Sequence, residues 1–151
     1  MDALRELYQD VILDHHKKPR NRREMPEASA TASGYNPLCG DRVLVFVRLE
    51  GGVLADVSFV GSGCAISQAS ASMMTDCLKG RTLEHAGQVA DAFQKLVTDE
   101  HATLPQGDDL VEKLEAFSGV REFPSRVKCA SLAWHALRAA LEQHGATVST
   151  E

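Results

Sequence analysis

Aromatic side chains are scarce, 5% of 151 residues, and basic ones are outnumbered: 16 Lys and Arg stand against 21 Asp and Glu, a formal net charge of −5. Nucleic-acid recognition draws on a basic stripe and stacking rings, so neither DNA nor RNA is an expected partner. Long hydrophobic runs are missing as well. The longest uncharged stretch, Val57 to Thr75, is broken by serines, glycines and Gln68, which excludes a membrane span there. The first residues, Met1-Asp2-Ala3-Leu4-Arg5-Glu6, are charged at once and lack the apolar run of a secretory signal. A reducing cytoplasm is therefore the expected location, and in it the four cysteines favour metal or redox chemistry over disulfides. No C-x-x-C pair, internal repeat or low-complexity segment occurs.

What remains is ordinary globular material, 44% hydrophobic and 25% charged. A chain of this length buries roughly two-thirds of its surface on folding, enough for a single domain over residues 1–151 with a frayed tail at about 146–151. Leu4, Leu7, Tyr8, Val11 and Ile12 recur with helical period, so residues 2–16 form an amphipathic helix ended by Pro19. His15, His16, Lys17 and Lys18 crowd its last turn, where helix capping is favoured over metal binding. Residues 20–34 read as a loop. Val43, Val45, Val47 and Leu49 alternate with a second set of side chains, and Val53 to Val60 alternate after Gly51-Gly52, a β-hairpin with a primed turn. Both faces of its first strand are apolar near the middle, so helices cover one side and loops or a third strand the other.

Beyond Gly61-Ser62-Gly63, small residues from Cys64 to Lys79 form a closely packed helix stopped by Gly80. Thr82 caps a further helix carrying Ala86, Val89, Ala90, Phe93 and Leu96. A polar linker, 99–107, leads to a short helix opened by Asp108 and closed near Gly119. The last helix starts after Pro124, with Lys128, Ser131, His135, Arg138 and Glu142 on one stripe and Val127, Ala130, Trp134, Leu137 and Leu141 on another. The class is α+β: a small antiparallel sheet, a hairpin plus a possible third strand, packed against several helices.

Three cysteines lie at turns or helix beginnings. Cys39 precedes Gly40-Asp41 just before the hairpin, Cys64 follows Gly63 at a helix start, and Cys129 falls in the first turn of the last helix with Arg126 one turn earlier. A helix N-terminus favours the thiolate. Antiparallel pairing makes Cys39, Asp41 and Cys64 neighbours, while Cys129 must arrive by tertiary packing. Three thiolates and a carboxylate suit tetrahedral zinc and leave a formal −2 that Arg126 or Lys128 can offset. Spacing alone leaves open a set of unrelated buried cysteines. Cys77, 13 residues past Cys64, lies roughly 220° around and about 20 Å along the helix, so it reads as a buried thiol outside the set. His85, His101, His135 and His144 have no spacing that pairs them with a ligand and read as surface or satisfied core residues.

At these positions the chain resembles a known family. Leu7-Tyr8 with Val11 to His15, Pro19-Arg20-Asn21, Asn36-Pro37-Leu38-Cys39-Gly40-Asp41, Gly61 to Ser67 with Ala69 to Met74, and Arg126-Val127-Lys128-Cys129-Ala130 are similar to the SufU branch of the IscU/NifU-like iron-sulfur assembly superfamily, over nearly the whole chain. Scaffold members carry a histidine just before the last cysteine and a shorter segment between the second and third. Here Lys128 stands in that place and a polar stretch, 99–119, lengthens the segment; both departures point to the SufU branch.

The resemblance implies an IscU/SufU-like fold and a zinc-dependent sulfurtransferase that accepts persulfide sulfur from a SufS-type, pyridoxal-phosphate-dependent cysteine desulfurase and relays it to downstream iron-sulfur assembly proteins. It implies Cys39, Asp41, Cys64 and Cys129 as zinc ligands and Cys39 as the sulfur acceptor, released when a histidine of the desulfurase takes its place on the metal. Arg126 then pairs with Asp41 or steadies the freed thiolate, or is only an exposed charge at a helix start. An iron-sulfur scaffold on the same ligands, or a zinc ion that only supports folding, are the competing readings.

Overall fold

The computed structural model describes residues 2–38, 40–143 and 148–149, with side chains from 9 to 142 apart from residue 39. Its sheet runs in the order β3-β2-β1-β4. β2 (Asp41–Glu50) and β3 (Val53–Ser62) form the expected hairpin. Gly51 and Gly52 close it with φ of 57° and 79°, the primed geometry that matches strand twist. The register slips once, between Arg48 and Leu49, so Arg48 faces Asp56 and Leu49 faces Leu54.

The segment expected as a loop over 20–34 divides in two. Its first half is irregular and docks on the edge of β3, where Asn21 accepts from the Phe59 amide, Arg23 pairs with Asp56, and Met25 is buried. Its second half is a strand, β1 (Ala30–Asn36), antiparallel to β2, which supplies the third strand. The reason is packing. β1 lies against the last helix, and a Cβ at Gly34 would come within 2.9 Å of the Leu132 side chain, so at that position the close packing calls for a glycine. β4 (Val148–Ser149) adds two residues parallel to β1; the rest of the 144–151 tail, His144 included, lies outside the described residues.

Three helices carry the site-bearing half of the core: α1 (Asp2–Lys17), α2 (Ala65–Leu78) and α5 (Pro124–Gln143). In α1, Val11 and Ile12 pack on the core, whereas the Leu4, Leu7 and Tyr8 side chains of the expected stripe lie outside the described residues. α2 is buried on nearly every side, which explains its serines and alanines. Ser70 shows how they serve: its hydroxyl donates to the Ala130 carbonyl at 2.6 Å and accepts from the Trp134 indole at 3.1 Å, tying α2 to α5. Lys79 and Gly80, with φ of 82° at the glycine, end the helix as expected.

α3 (Leu83–Leu96) is capped by Thr82 and buries Ala86, Val89, Ala90, Phe93 and Leu96. Phe93 stacks on Trp134 at 4.6 Å and meets the edge of Phe117 at 5.7 Å. The short helix expected from Asp108 is only α4 (Asp109–Glu112); the chain then tightens into a 3-10 helix, Lys113–Glu122, which runs through Gly119. Ser131, expected on the polar stripe of α5, is 2% exposed, because that helix is covered on two sides by the sheet and α2. Among the described residues no helix is long and apolar enough to cross a membrane.

Candidate metal centre

Strand register brings the first ligands together. Asn36 pairs with Asp41 across β1 and β2, and Arg42 pairs with Ser62 across β2 and β3, so the end of β1, the start of β2 and the exit of β3 share one end of the sheet. Gly63 then turns the chain, with φ of 144°, into Cys64, the N-cap of α2. A Cβ at Gly63 would overlap the Asp41 carboxylate, so the glycine is what lets the strand end approach that carboxylate. α5 enters from the other side and delivers Cys129.

The result is a compact donor set. One oxygen of Asp41 and the sulfurs of Cys64 and Cys129 all lie within 4.8 Å of one another. Cys64 Sγ is 3.6 Å from Asp41 Oδ2, close to the roughly 3.5 Å that separates a sulfur from an oxygen on tetrahedral zinc. Asp41 Oδ1 accepts the Cys64 amide at 2.8 Å, which orients the carboxylate. Ser67 N–H points at Cys64 Sγ from 3.4 Å, the first-turn amide expected to favour a thiolate. Asp41 is fully buried and Cys129 is 4% exposed, while Cys64 opens to solvent. A buried carboxylate beside two sulfurs calls for a cation. Among the described residues no Lys, Arg or His forms an ion pair with Asp41. The residues present therefore fit a dication such as zinc.

Three of the four expected ligands are thus brought together; Cys39 lies outside the described residues. Cys129 is the sixth residue of α5, not in its first turn, because Pro124 itself starts the helix. Its setting comes from packing and from Asn36, whose amide Nδ2 is 3.9 Å from the sulfur. Arg126 is exposed, its guanidinium 4.7 Å over the Phe123 ring, and Lys128 is half-buried. Cys77 is fully buried away from this set, and burial foremost, then Asp108 and Asp76, pushes its thiol up. Sequence reasoning quoted Asn36 only as part of a motif; the one hint of a role was an Asn-Pro pair opening the turn before Cys39-Gly40-Asp41.

His15 is not a helix cap. It is 4% exposed and its Nδ1 lies 2.7 Å from Ser72 Oγ. His135 is half-buried and is pushed down chiefly by burial.

Comparison with known proteins points to one family. The model of the NifU-like N terminal domain matches residues 7–129. The zinc-dependent sulfurtransferase SufU of Bacillus subtilis (strain 168) is 41% identical over 133 residues, 87% of this chain and 86% of that protein. The iron-sulfur cluster assembly scaffold protein IscU of Streptococcus pyogenes serotype M1 is 37% identical over 143 residues, 95% of this chain and 87% of that protein. Among solved structures, the N-terminal part of a nitrogen-fixing NifU-like protein from Brucella abortus superposes with a TM-score of 0.81 at 26% identity, covering 90% of this chain and 92% of that one.

Proposed function

The chain belongs to the NifU-like N terminal domain family, and from that premise we propose that it is a zinc-dependent sulfurtransferase of iron-sulfur cluster assembly, fed by a pyridoxal-phosphate cysteine desulfurase in the cytoplasm. The observation that carries this reading is the convergence of Asp41, Cys64 and Cys129 within 4.8 Å, with Asp41 only two residues along the chain from Cys39. Asp41, Cys64, Cys129 and Cys39 would hold the ion. Zinc bound there keeps its sulfur ligands deprotonated at neutral pH and brings no redox chemistry of its own.

The chain's own residues then divide the work. Asp41, held by the Cys64 amide, and the buried Cys129 form the fixed part of the set. Cys39, two residues before Asp41 in the sequence, is the acceptor. Its thiolate attacks the outer sulfur of the desulfurase's cysteine persulfide; the partner's S–S bond breaks as a new one forms on Cys39, and the partner's cysteine leaves as a thiolate. Sulfane sulfur changes hands with no net oxidation or reduction. The exposed Arg126 is placed by sequence one turn before Cys129, where it would steady the Cys39 thiolate while it is free.

The relatives named as scaffolds keep a second reading in play, an iron-sulfur cluster built on the same ligands. Lys128 argues against it, since it stands where the scaffold branch carries a histidine. Purified protein is expected to be colourless with about one zinc per chain and to raise desulfurase turnover, and Cys39→Ala abolishes that stimulation while keeping the fold. Full stimulation by Cys39→Ala removes the acceptor role, and a stable brown chromophore with acid-labile sulfide moves the assignment to a scaffold.

A further inference from the structure

Asn36 is the last residue of β1, fully buried, and both ends of its side chain are engaged. Its Oδ1 accepts the Leu38 amide at 3.1 Å, an Asx turn, and its own carbonyl accepts the Gly40 amide at 2.8 Å. These two bonds hold Leu38 and Gly40, the residues on either side of Cys39 in the sequence. Because the Leu38 N–H can only be met by an oxygen, the amide's orientation is fixed, and the NH2 group must face the other way. There it points at Cys129 Sγ, 3.9 Å off.

We propose that Asn36 is a positioning residue that couples two parts of the centre, donating a side-chain N–H to the Cys129 sulfur while its Oδ1 holds Leu38, the residue before Cys39 in the sequence. The inference rests on the metal reading above and assigns a role to a residue that is not itself a ligand. An N–H···S bond withdraws electron density from a thiolate, so it makes the sulfur a calmer, better-defined donor in a buried site that already holds the negative charge of Asp41. One short side chain thereby links the deep wall of the site, on α5, to the loop that must move sulfur. An apolar residue there would leave the Leu38 amide without this partner and take the Asn36 N–H away from the Cys129 sulfur.

Two variants separate the two bonds. Asn36→Ser keeps a hydroxyl able to accept the Leu38 amide but is too short to reach the sulfur; Asn36→Ala loses both. With Co2+ replacing zinc, thiolate-to-metal charge transfer reports on the sulfur directly. Both variants are expected to move that band to lower energy and to weaken zinc binding roughly 10-fold or more, measured against a chromogenic chelator. KM for the persulfide-bearing desulfurase rises in Asn36→Ala only. A band and a zinc affinity unchanged in Asn36→Ser, with wild-type metal-free stability, overturn the sulfur bond, and equal KM in the two variants overturns the turn-holding role. If wild-type protein gives no thiolate band with Co2+, the metal reading fails and this inference fails with it. Should both variants fail to fold, wild type decides by NMR: zinc loading is expected to separate the two Asn36 side-chain amide protons, and a pair that does not respond refutes the bond.

Discussion

His15 shows how a single buried side chain can set a pH limit on stability. The Ser72 hydroxyl accepts the Arg20 amide at 2.8 Å and shares a 2.7 Å hydrogen bond with the buried His15 Nδ1. Burial first, then the nearby Arg20, pulls the imidazole down to about 4, against the opposing pull of Asp76 and Asp14. In the unfolded chain the same group titrates near 6.5. Between those values the unfolded state binds the extra proton, so stability rises with pH; the contribution is complete above about 6.5 and is lost as pH falls toward 4. The expected loss between pH 7.5 and 4.5 is roughly 2 kcal/mol from this group, and His135, also depressed, adds in the same direction. Urea unfolding at the two pH values checks it: His15→Gln should flatten the slope markedly, and an unchanged slope would place the pH dependence elsewhere. The sequence showed two histidines in a basic final turn, which suggested capping. What it could not show was that α2 brings a serine under one of them.

At the scale of elements, the junction between β3 and α2 is the most constrained part of the chain. Gly63 combines a φ of 144° with a Cβ position already filled by the Asp41 carboxylate. Gly63→Ala is expected to cost at least about 1–3 kcal/mol of metal-free stability and to abolish zinc binding, because the carboxylate must move. Gly87→Ala is the control: it lies in α3 with open space around the added methyl and should gain up to about 1 kcal/mol from helix propensity. Denaturant titration and zinc stoichiometry on the pair decide the matter; a Gly63→Ala protein that binds zinc normally contradicts the account of the junction.

Elements differed in how much of themselves they disclosed. The hairpin was legible to its turn type, since alternation and two glycines leave little choice. The start and stop of α2 were legible from Cys64 and Gly80, and α3 from Thr82. β1 was not, because Ala30-Thr31-Ala32-Ser33-Gly34 has the small, polar composition of a loop, and its pairing with β2 and packing on α5 are tertiary facts. The inward turn of Ser131 was hidden for a similar reason. A serine on a helix looks solvated until a second layer is known to cover it.

For the whole molecule, the fold is a device for bringing distant parts of one chain to a point. Asp41 and Cys64 could be placed together from strand pairing alone. Cys129 could not: it depends on α5 packing against both β1 and α2, a three-body arrangement that no local pattern encodes. Its place near a helix start only suggested it, the family resemblance then implied it as a ligand, and the 4.8 Å grouping gives its inclusion a geometric basis. Ser70 bonds to Ala130, the residue after Cys129 on α5, and to Trp134 further along it, so the core and the site share the same helix contact.

The central claim is that one ion is held jointly by these separated residues. X-ray absorption at the zinc K-edge of the purified protein measures this directly. A first shell of three sulfurs at about 2.3 Å and one oxygen at about 2.0 Å is expected, with one sulfur lost in Cys129→Ser and the oxygen lost in Asp41→Ala. Protein that takes up no zinc, or a shell of nitrogen and oxygen that is indifferent to those two substitutions, would contradict it.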